Sequence, residues 1–448
     1  MRDLLLISIV IPAAVMALKR PWIGVMLWTW LSIMNPHRYT YGFAYHAPLA
    51  AIAVVVTVIG LLFTKDRESP FKNPAVTIFA LFIFWITVSW LMGLDPAKDY
   101  EQWKKVMKID LMILVALALL HSKKHILALF WVVTGSMALL GAKGGFFTLL
   151  TGGAGRVWGP PGSFIEDNNE FALALVMTIP LLRFLQLQLT NKWARLGMTA
   201  VMLLCAIAVL GSQSRGAFLA IAAMTGLLWM RGGNKLSVGF LLLLAIPLML
   251  AFMPEEWSMR MSTISDYESD RSALGRISAW WTAWGVATHY PFGAGFDVAR
   301  PELVAMFSPY PDFVHAAHSI YFQILGNHGF VGLLLFLAIW GVTWNSAGWL
   351  RREGQKNSQS RWCADLGTMC QVSLIGYLVG GAFLSLSYFD LPYNIMILVV
   401  LARRWMENKA WEREPPAAVV NTKEAFPQSV PPGLNASRIV SARGNSLR

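Results

Sequence analysis

The sequence predicts an all-α polytopic integral membrane protein of about twelve transmembrane helices with one large, partly helical extracytoplasmic loop. Three observations carry that expectation. Of the 448 residues, 56% are hydrophobic and only 14% charged, whereas a soluble domain carries about 25% charged residues. Mean hydropathy is +0.51. Apolar runs long enough to cross a hydrocarbon core recur from residue 3 to residue 402, separated by short polar breaks.

The first run, residues 3–18, follows Met1-Arg2-Asp3 and has the outline of a signal peptide. A second run at 22–34 begins after only Lys19-Arg20-Pro21, which reads as a retained membrane hairpin. Both are short for a core of about 30 Å and need tilt, re-entry or polar flanks to complete them. Runs at 47–64, 75–92, 105–121, 125–141, 170–186, 195–212, 216–230 and 236–253 complete a first membrane block, 1–253. Residues 254–328 contain no run of spanning length; they mix Pro, Asp, Glu and Arg with Trp280-Trp281-Thr282-Ala283-Trp284 and form the large loop. Runs at 329–348 and 366–387 and a shorter piece at 391–402 make the C-terminal block, 329–407. From Asn408 the chain is polar, with Pro415-Pro416, Pro427 and Pro431-Pro432, the composition of a disordered tail.

The net charge of +12 takes its meaning from where the charges fall. Alternate connections carry Lys19-Arg20; Lys65, Arg67 and Lys72; Lys123-Lys124; Arg183, Lys192 and Arg195; Arg231 and Lys235; Arg351, Arg352, Lys356 and Arg361; and Arg403-Arg404. All lie on one side, which the positive-inside rule makes cytoplasmic, so the large loop is placed outside and the tail inside. Basic residues dispersed in this way answer to topology and not to a nucleic-acid partner. Cys205, Cys363 and Cys370, without a CxxC pair, indicate neither a disulfide framework nor a zinc site.

Basic residues on the outer side are the informative ones, because topology does not require them there. Lys98, Lys104 and Lys105 belong to an amphipathic stretch suited to lipid headgroups. Arg156, Arg215, Arg271 and Arg276 sit at or near Gly-rich breaks or helix starts, where a half-buried guanidinium needs a partner. In Gly211-Ser212-Gln213-Ser214-Arg215-Gly216-Ala217, a polar knot between two runs, Arg215 opens a helix. Free N–H groups beside a five-donor fork make an anion site, the alternative being an arginine that snorkels at a helix end. Arg276 lies in the first turns of a helix entered through Ser272-Ala273-Leu274-Gly275, where the macrodipole disfavours a cation unless an anion intervenes. The tryptophans that follow suit an interfacial belt.

Tyr290-Pro291-Phe292-Gly293-Ala294-Gly295-Phe296 has no preceding strand and reads as a turn, not a nucleotide fingerprint. His315 and His318 are spaced i, i+3, which admits a metal pair, but no HExxH motif or acidic third ligand accompanies them. A neutral imidazole at the membrane lip, able to accept a proton, fits at least one of them better. With several arginines, a histidine and no carboxylate pair of glycosidase spacing, the outer face suits a phosphate-rich leaving group and a base that activates a hydroxyl. It does not suit hydrolysis by paired acids.

Ser214-Arg215-Gly216 opening a span, Gly275-Arg276 with Trp280 and then Pro291-Phe292-Gly293-Ala294-Gly295, and His318-Ser319-Ile320-Tyr321 leading to Gly329-Phe330-Val331-Gly332 occur in that order over residues 150–345. The set resembles the bacterial O-antigen ligase and O-antigen polymerase superfamily. The resemblance implies a lipid-dependent, GT-C-like glycosyltransferase fold in the bacterial inner membrane with its active site facing the periplasm. It implies a glycan donor carried on undecaprenyl pyrophosphate and, in the ligase branch, transfer to a sugar hydroxyl of the lipid A core with inversion and with no metal or other cofactor. By carry-over His318 is the base, and Arg215 and Arg276 bind the pyrophosphate. Arg156 and Asn169 match a looser pattern for donor contacts, and His315, Tyr321 and Arg271 accompany the matched motifs as substrate-binding candidates. Ser319 stands where the family usually has Asn. A polymerase or protein O-oligosaccharyltransferase of the same superfamily is the alternative. A transporter of lipid-linked sugar is the alternative of another class; its usual marks, internal repeats and midplane charges, are lacking apart from Asp110 near a span end.

Overall fold

The helices begin where the sequence supplies caps. In the computed structural model, which describes residues 1–231 and 271–413, every regular element is a helix. The expected span at 236–253, the loop up to residue 270 and the tail from 414 lie outside the described residues. Helices α1 (Arg2–Lys19) and α2 (Pro21–Met34) form the expected hairpin about Arg20, with Pro21 at the first helical position, where its missing N–H costs nothing. Helix α3 (Leu49–Phe63) packs on both. Asn73 caps α4 (Pro74–Leu91), Asp95 caps α5 (Pro96–Leu119), Ser122 caps α6 (Lys123–Leu150), Asp167 caps α7 (Asn168–Gln188) and Asn191 caps α8 (Lys192–Gly211), each by accepting a backbone N–H. There follow α9 (Arg215–Arg231), α10 (Arg271–His289), the short α11 (Pro301–Phe307), α12 (Ile320–Glu353), α13 (Arg361–Gly380) and α14 (Asp390–Glu407).

Among the described residues six helices, α4, α6, α7, α8, α12 and α13, are long and apolar enough to cross a membrane, and α2 and α3 are shorter apolar helices. The expected count of about twelve is therefore only partly met by length and composition. Helix α5 shows one reason: the Lys98–Lys105 stretch is not a separate interfacial segment but its first turns, so charged residues occupy half the helix.

Helix α12 packs on α4, α10, α13 and α14, while α13 packs on α7 and α9. Two irregular stretches lie within this assembly. The first is a break inside α12 at Gly329 (φ 68°), so the run expected from 329 is preceded by helix from Ile320, inside the stretch read as loop. The carbonyls freed there are taken by the turn at 291–295: Ala294 N–H donates to the Gly326 carbonyl at 2.9 Å, and Gly295 N–H to Asn327 at 3.0 Å. Gly293 (φ 74°) is required by that contact, since a Cβ would lie 2.3 Å from the Asn327 carbonyl oxygen. The second stretch is 384–389, where the expected run 366–387 leaves helical conformation. This buried backbone is satisfied by side chains: the Tyr377 hydroxyl donates to Leu386 O at 3.1 Å, the Tyr393 hydroxyl donates to Ser387 O at 2.8 Å, and Gln323 Oε1 accepts the Ser387 N–H at 3.3 Å. Irregular backbone is tolerated in an apolar bundle only when its polar groups find such partners.

A buried ion pair fastens the segment after the turn to α5. Arg300 Nη2 lies 3.2 and 3.1 Å from the two oxygens of Asp99, which also accepts the Phe296 N–H at 2.8 Å. Removing one partner leaves the other charge buried and uncompensated. Asp99→Ala is accordingly expected to cost about 3–5 kcal/mol, read as a lowered unfolding midpoint in detergent. A double variant with Arg300→Met should recover part of that loss; no recovery would show that the ion pair is not the cause.

Candidate active site

Four segments meet at one end of the bundle. The loop between α6 and α7 is tied to the end of α8, where Val157 N–H donates to the Gly211 carbonyl at 3.2 Å and brings half-buried Arg156 beside the knot. Asn168 Nδ2 donates to the Ser212 carbonyl at 2.7 Å, joining the start of α7 to the same knot. Within it Ser212 and Ser214 are buried, Gln213 takes a left-handed conformation (φ 59°), and Ser214 Oγ accepts the Ala217 N–H at 3.4 Å. Arg215 is thereby the first residue of α9 and half-buried, the helix-start position that the sequence indicated.

The third segment, 308–318, is strapped along α10. Ser278 Oγ is the buckle: it lies 2.7 Å from Ser308 Oγ, 3.1 Å from the Tyr310 carbonyl and 2.9 Å from the Phe313 carbonyl. Trp280 Nε1 donates to the Ala317 carbonyl at 2.8 Å, and its ring stacks on Phe322. Gly275 admits the strap, because a Cβ there would meet the His315 ring at 2.6 Å. The strap delivers His315 and His318 to the beginning of α10, next to Arg276. His318 itself has φ 41°, a left-handed conformation costing of order 1–3 kcal/mol in a residue with a side chain, and such strain gathers at functional sites.

His318 feels the charges of three groups, Arg276, His315 and Asp167. Burial, then Arg276 and His315, lowers its pKa below the ordinary histidine value, with Asp167 opposing. The imidazole is therefore neutral and able to accept a proton at pH 7. Burial tends to raise the pKa of Asp167, but hydrogen bonds with Glu170 and with the Asn169 N–H and side chain, together with the charge of His318, hold it below the usual value.

Asp167 and Glu170 form a carboxyl pair that the sequence did not single out. The two are in hydrogen bond and not at glycosidase separation, so the case against hydrolysis by paired acids is unaffected. Their signal was present as an acid at the N-cap followed three residues later by Glu, a capping-box spacing. Glu170 is buried and lies near the Ser385 N–H, which brings in the fourth segment, 384–389.

The other expected residues are placed as follows. The Asn169 side chain donates to Asp167 Oδ1 at 3.0 Å. The Tyr321 hydroxyl points to α13, donating to the Leu378 carbonyl at 2.7 Å, and so ties helices together. Arg271 is the first residue of α10, and its side chain lies outside the described residues. Cys205, Cys363 and Cys370 are buried free thiols, remote from these segments in role.

Residues 1–190 match a family of unknown function (DUF5935), and residues 200–337 match the O-antigen ligase family. No curated protein matches the chain. The second match begins in α8, takes in the knot with Arg215, the start of α10 with Arg276 and the strap with His318, and ends in α12. By this match the segment 200–337 is similar to the O-antigen ligase family, in agreement with the motifs in the sequence.

Proposed function

We propose that the protein is an O-antigen ligase: at the periplasmic face of the bacterial inner membrane it transfers a glycan from undecaprenyl pyrophosphate to a sugar hydroxyl of the lipid A core. The observation that carries this reading is the convergence of a strained, neutral His318 with Arg276 at the start of α10. A base poised at neutral pH beside a guanidinium is what attack of a hydroxyl on a phosphate-activated sugar requires. His318 takes the hydroxyl proton as the acceptor oxygen bonds to the anomeric carbon. The bond from that carbon to the pyrophosphate oxygen breaks on the opposite face, inverting the centre, and Arg276 and Arg215 receive the departing charge. Arg156, on the loop tied to the knot, and Asn169, in the first turn of α7, are assigned further donor contacts. His315 flanks the base, while Arg271 and Tyr321 are assigned to the edge of the substrate site. No step calls for a metal ion, so transfer is expected to proceed at full rate in excess chelator; chelator-sensitive, metal-restored activity would contradict the scheme.

The test is a reconstituted assay with labelled lipid-linked donor in which lipid A core, a second repeat-unit donor and a pilin-like peptide are offered separately. Label on the lipid A core supports ligation, whereas label on the repeat unit or the peptide supports the polymerase or the protein O-oligosaccharyltransferase. Donor crossing a vesicle bilayer without transfer to any acceptor would replace the enzyme reading by a transporter.

A further inference from the structure

We propose that a cavity at the start of α6, remote from His318, binds the phosphate headgroup of an anionic membrane phospholipid. The proposal is independent of the ligase reading and lies within residues 1–190, which match a family of unknown function. The cavity is built where three parts of the chain meet. Gly60 of α3 seats the α1–α2 corner, since a Cβ there would lie 2.6 Å from the Ala17 carbonyl oxygen and 3.0 Å from Pro21 Cβ. Trp22, just past that corner, stacks on His125 in the first turns of α6, with ring centroids 4.8 Å apart. Asp66, on the segment after α3, places Oδ1 3.2 Å from Nε2 of His121 in the α5–α6 connection, and the Glu68 N–H donates to the Ala118 carbonyl at 2.9 Å. Between these contacts is a cavity of about 270 Å³. Helix α6 is 28 residues long and its other end leads into the loop carrying Arg156, so the cavity lies one helix length, about 40 Å, from that loop.

The lining sets Lys19, Arg20 and Lys124 against one carboxylate, Asp66, whose Oδ1 already faces His121. Among the described residues none of the three cations is in an ion pair. Two of them also stand at helix starts with no acid in the first turn, Arg20 at the N-cap of α2 and Lys124 in α6, where the macrodipole opposes a cation. Like charges gathered around one cavity repel unless an anion lies among them, and a phosphate offers several acceptor oxygens to such donors. The surroundings favour a lipid over free phosphate. Trp22 and Leu119 give the same cavity apolar walls, and Leu18, Leu62 and Phe63, beside the lining residues Lys19 and Thr64 in the chain, are exposed. A headgroup seated among the cations leaves its acyl chains against those apolar side chains, the division that a basic pocket between membrane helices provides. On the orientation read from the basic loops, the cavity faces the cytoplasmic leaflet.

The test uses the full-length protein in detergent, with lipid binding followed by native mass spectrometry and by the rise in unfolding midpoint. Phosphatidylglycerol is expected to bind on the order of tenfold more tightly than zwitterionic phosphatidylcholine, and millimolar inorganic phosphate should not displace it. Lys19→Gln, Arg20→Gln and Lys124→Gln should each weaken phosphatidylglycerol binding by about fivefold, and the triple variant by on the order of 100-fold. A control that removes three exposed cations elsewhere, Lys192→Gln with Arg195→Gln and Arg352→Gln, should bind as the wild type does. Where the triple variant fails to fold, the single Arg20→Gln carries the reading. Equal binding of the two lipids, undiminished binding in the triple variant, or an equal loss in the control, which marks diffuse surface charge, overturns the proposal. Displacement of phosphatidylglycerol by inorganic phosphate makes the cavity a free-phosphate site and overturns the lipid assignment. No arm measures glycan transfer, so a protein that transfers to no acceptor defeats the ligase reading and leaves this binding site standing.

Discussion

Replacing His318 by alanine is expected to reduce glycan transfer by about 10²–10⁴-fold, the contribution of a general base to hydroxyl attack. The loss should appear in kcat, with donor KM little changed, because the imidazole acts on the acceptor proton and not on the pyrophosphate. In the wild type, burial and the adjacent Arg276 lower the pKa of His318, so the proton-accepting form persists below the ordinary histidine value. The acid limb of the rate profile should accordingly lie below about pH 6.5 and vanish in the variant. Retention of transfer by His318→Ala in a purified assay would remove the base assignment.

The second large effect is expected at the arginines. Arg276→Ala and Arg215→Ala should each lower kcat by about 10²–10³-fold, as loss of one preorganised group facing developing charge does. Lysine should rescue poorly, because a point charge does not reproduce the planar fork that grips two phosphate oxygens. Arg276→Lys therefore discriminates: near wild-type transfer would mean that only positive charge is needed near His318. Because Arg276 also lowers the pKa of His318, Arg276→Ala should move the acid limb to higher pH.

Much of the site could be read along the chain because local rules govern it. Arg215 after Gly211-Ser212-Gln213-Ser214 had to open a helix, and Ser214 beside it accepts a helix N–H. The glycines around 293 signalled a turn, although what that turn packs against, the break at Gly329, was not visible. Tyr321 was singled out from its motif, yet its hydroxyl is committed to the Leu378 carbonyl, a partner that only helix packing supplies. Asp167 and Glu170 read along the chain as ordinary helix-start residues, and that the charge of Asp167 reaches His318, from a distant part of the chain, follows only from the fold.

By itself the sequence determined the helical membrane class, most helix starts and the residue types at the matched motifs, since apolar run length and caps act within a few residues of one another. Tertiary structure alone decided which side chains share a space. It bent 384–389 out of helix, strapped 308–318 along α10 through Ser278, and brought His318 within reach of the charge of Arg276. Those contacts join segments far apart in the chain, and the charge that one group feels from another depends on their separation and burial in the folded bundle, which no local pattern encodes.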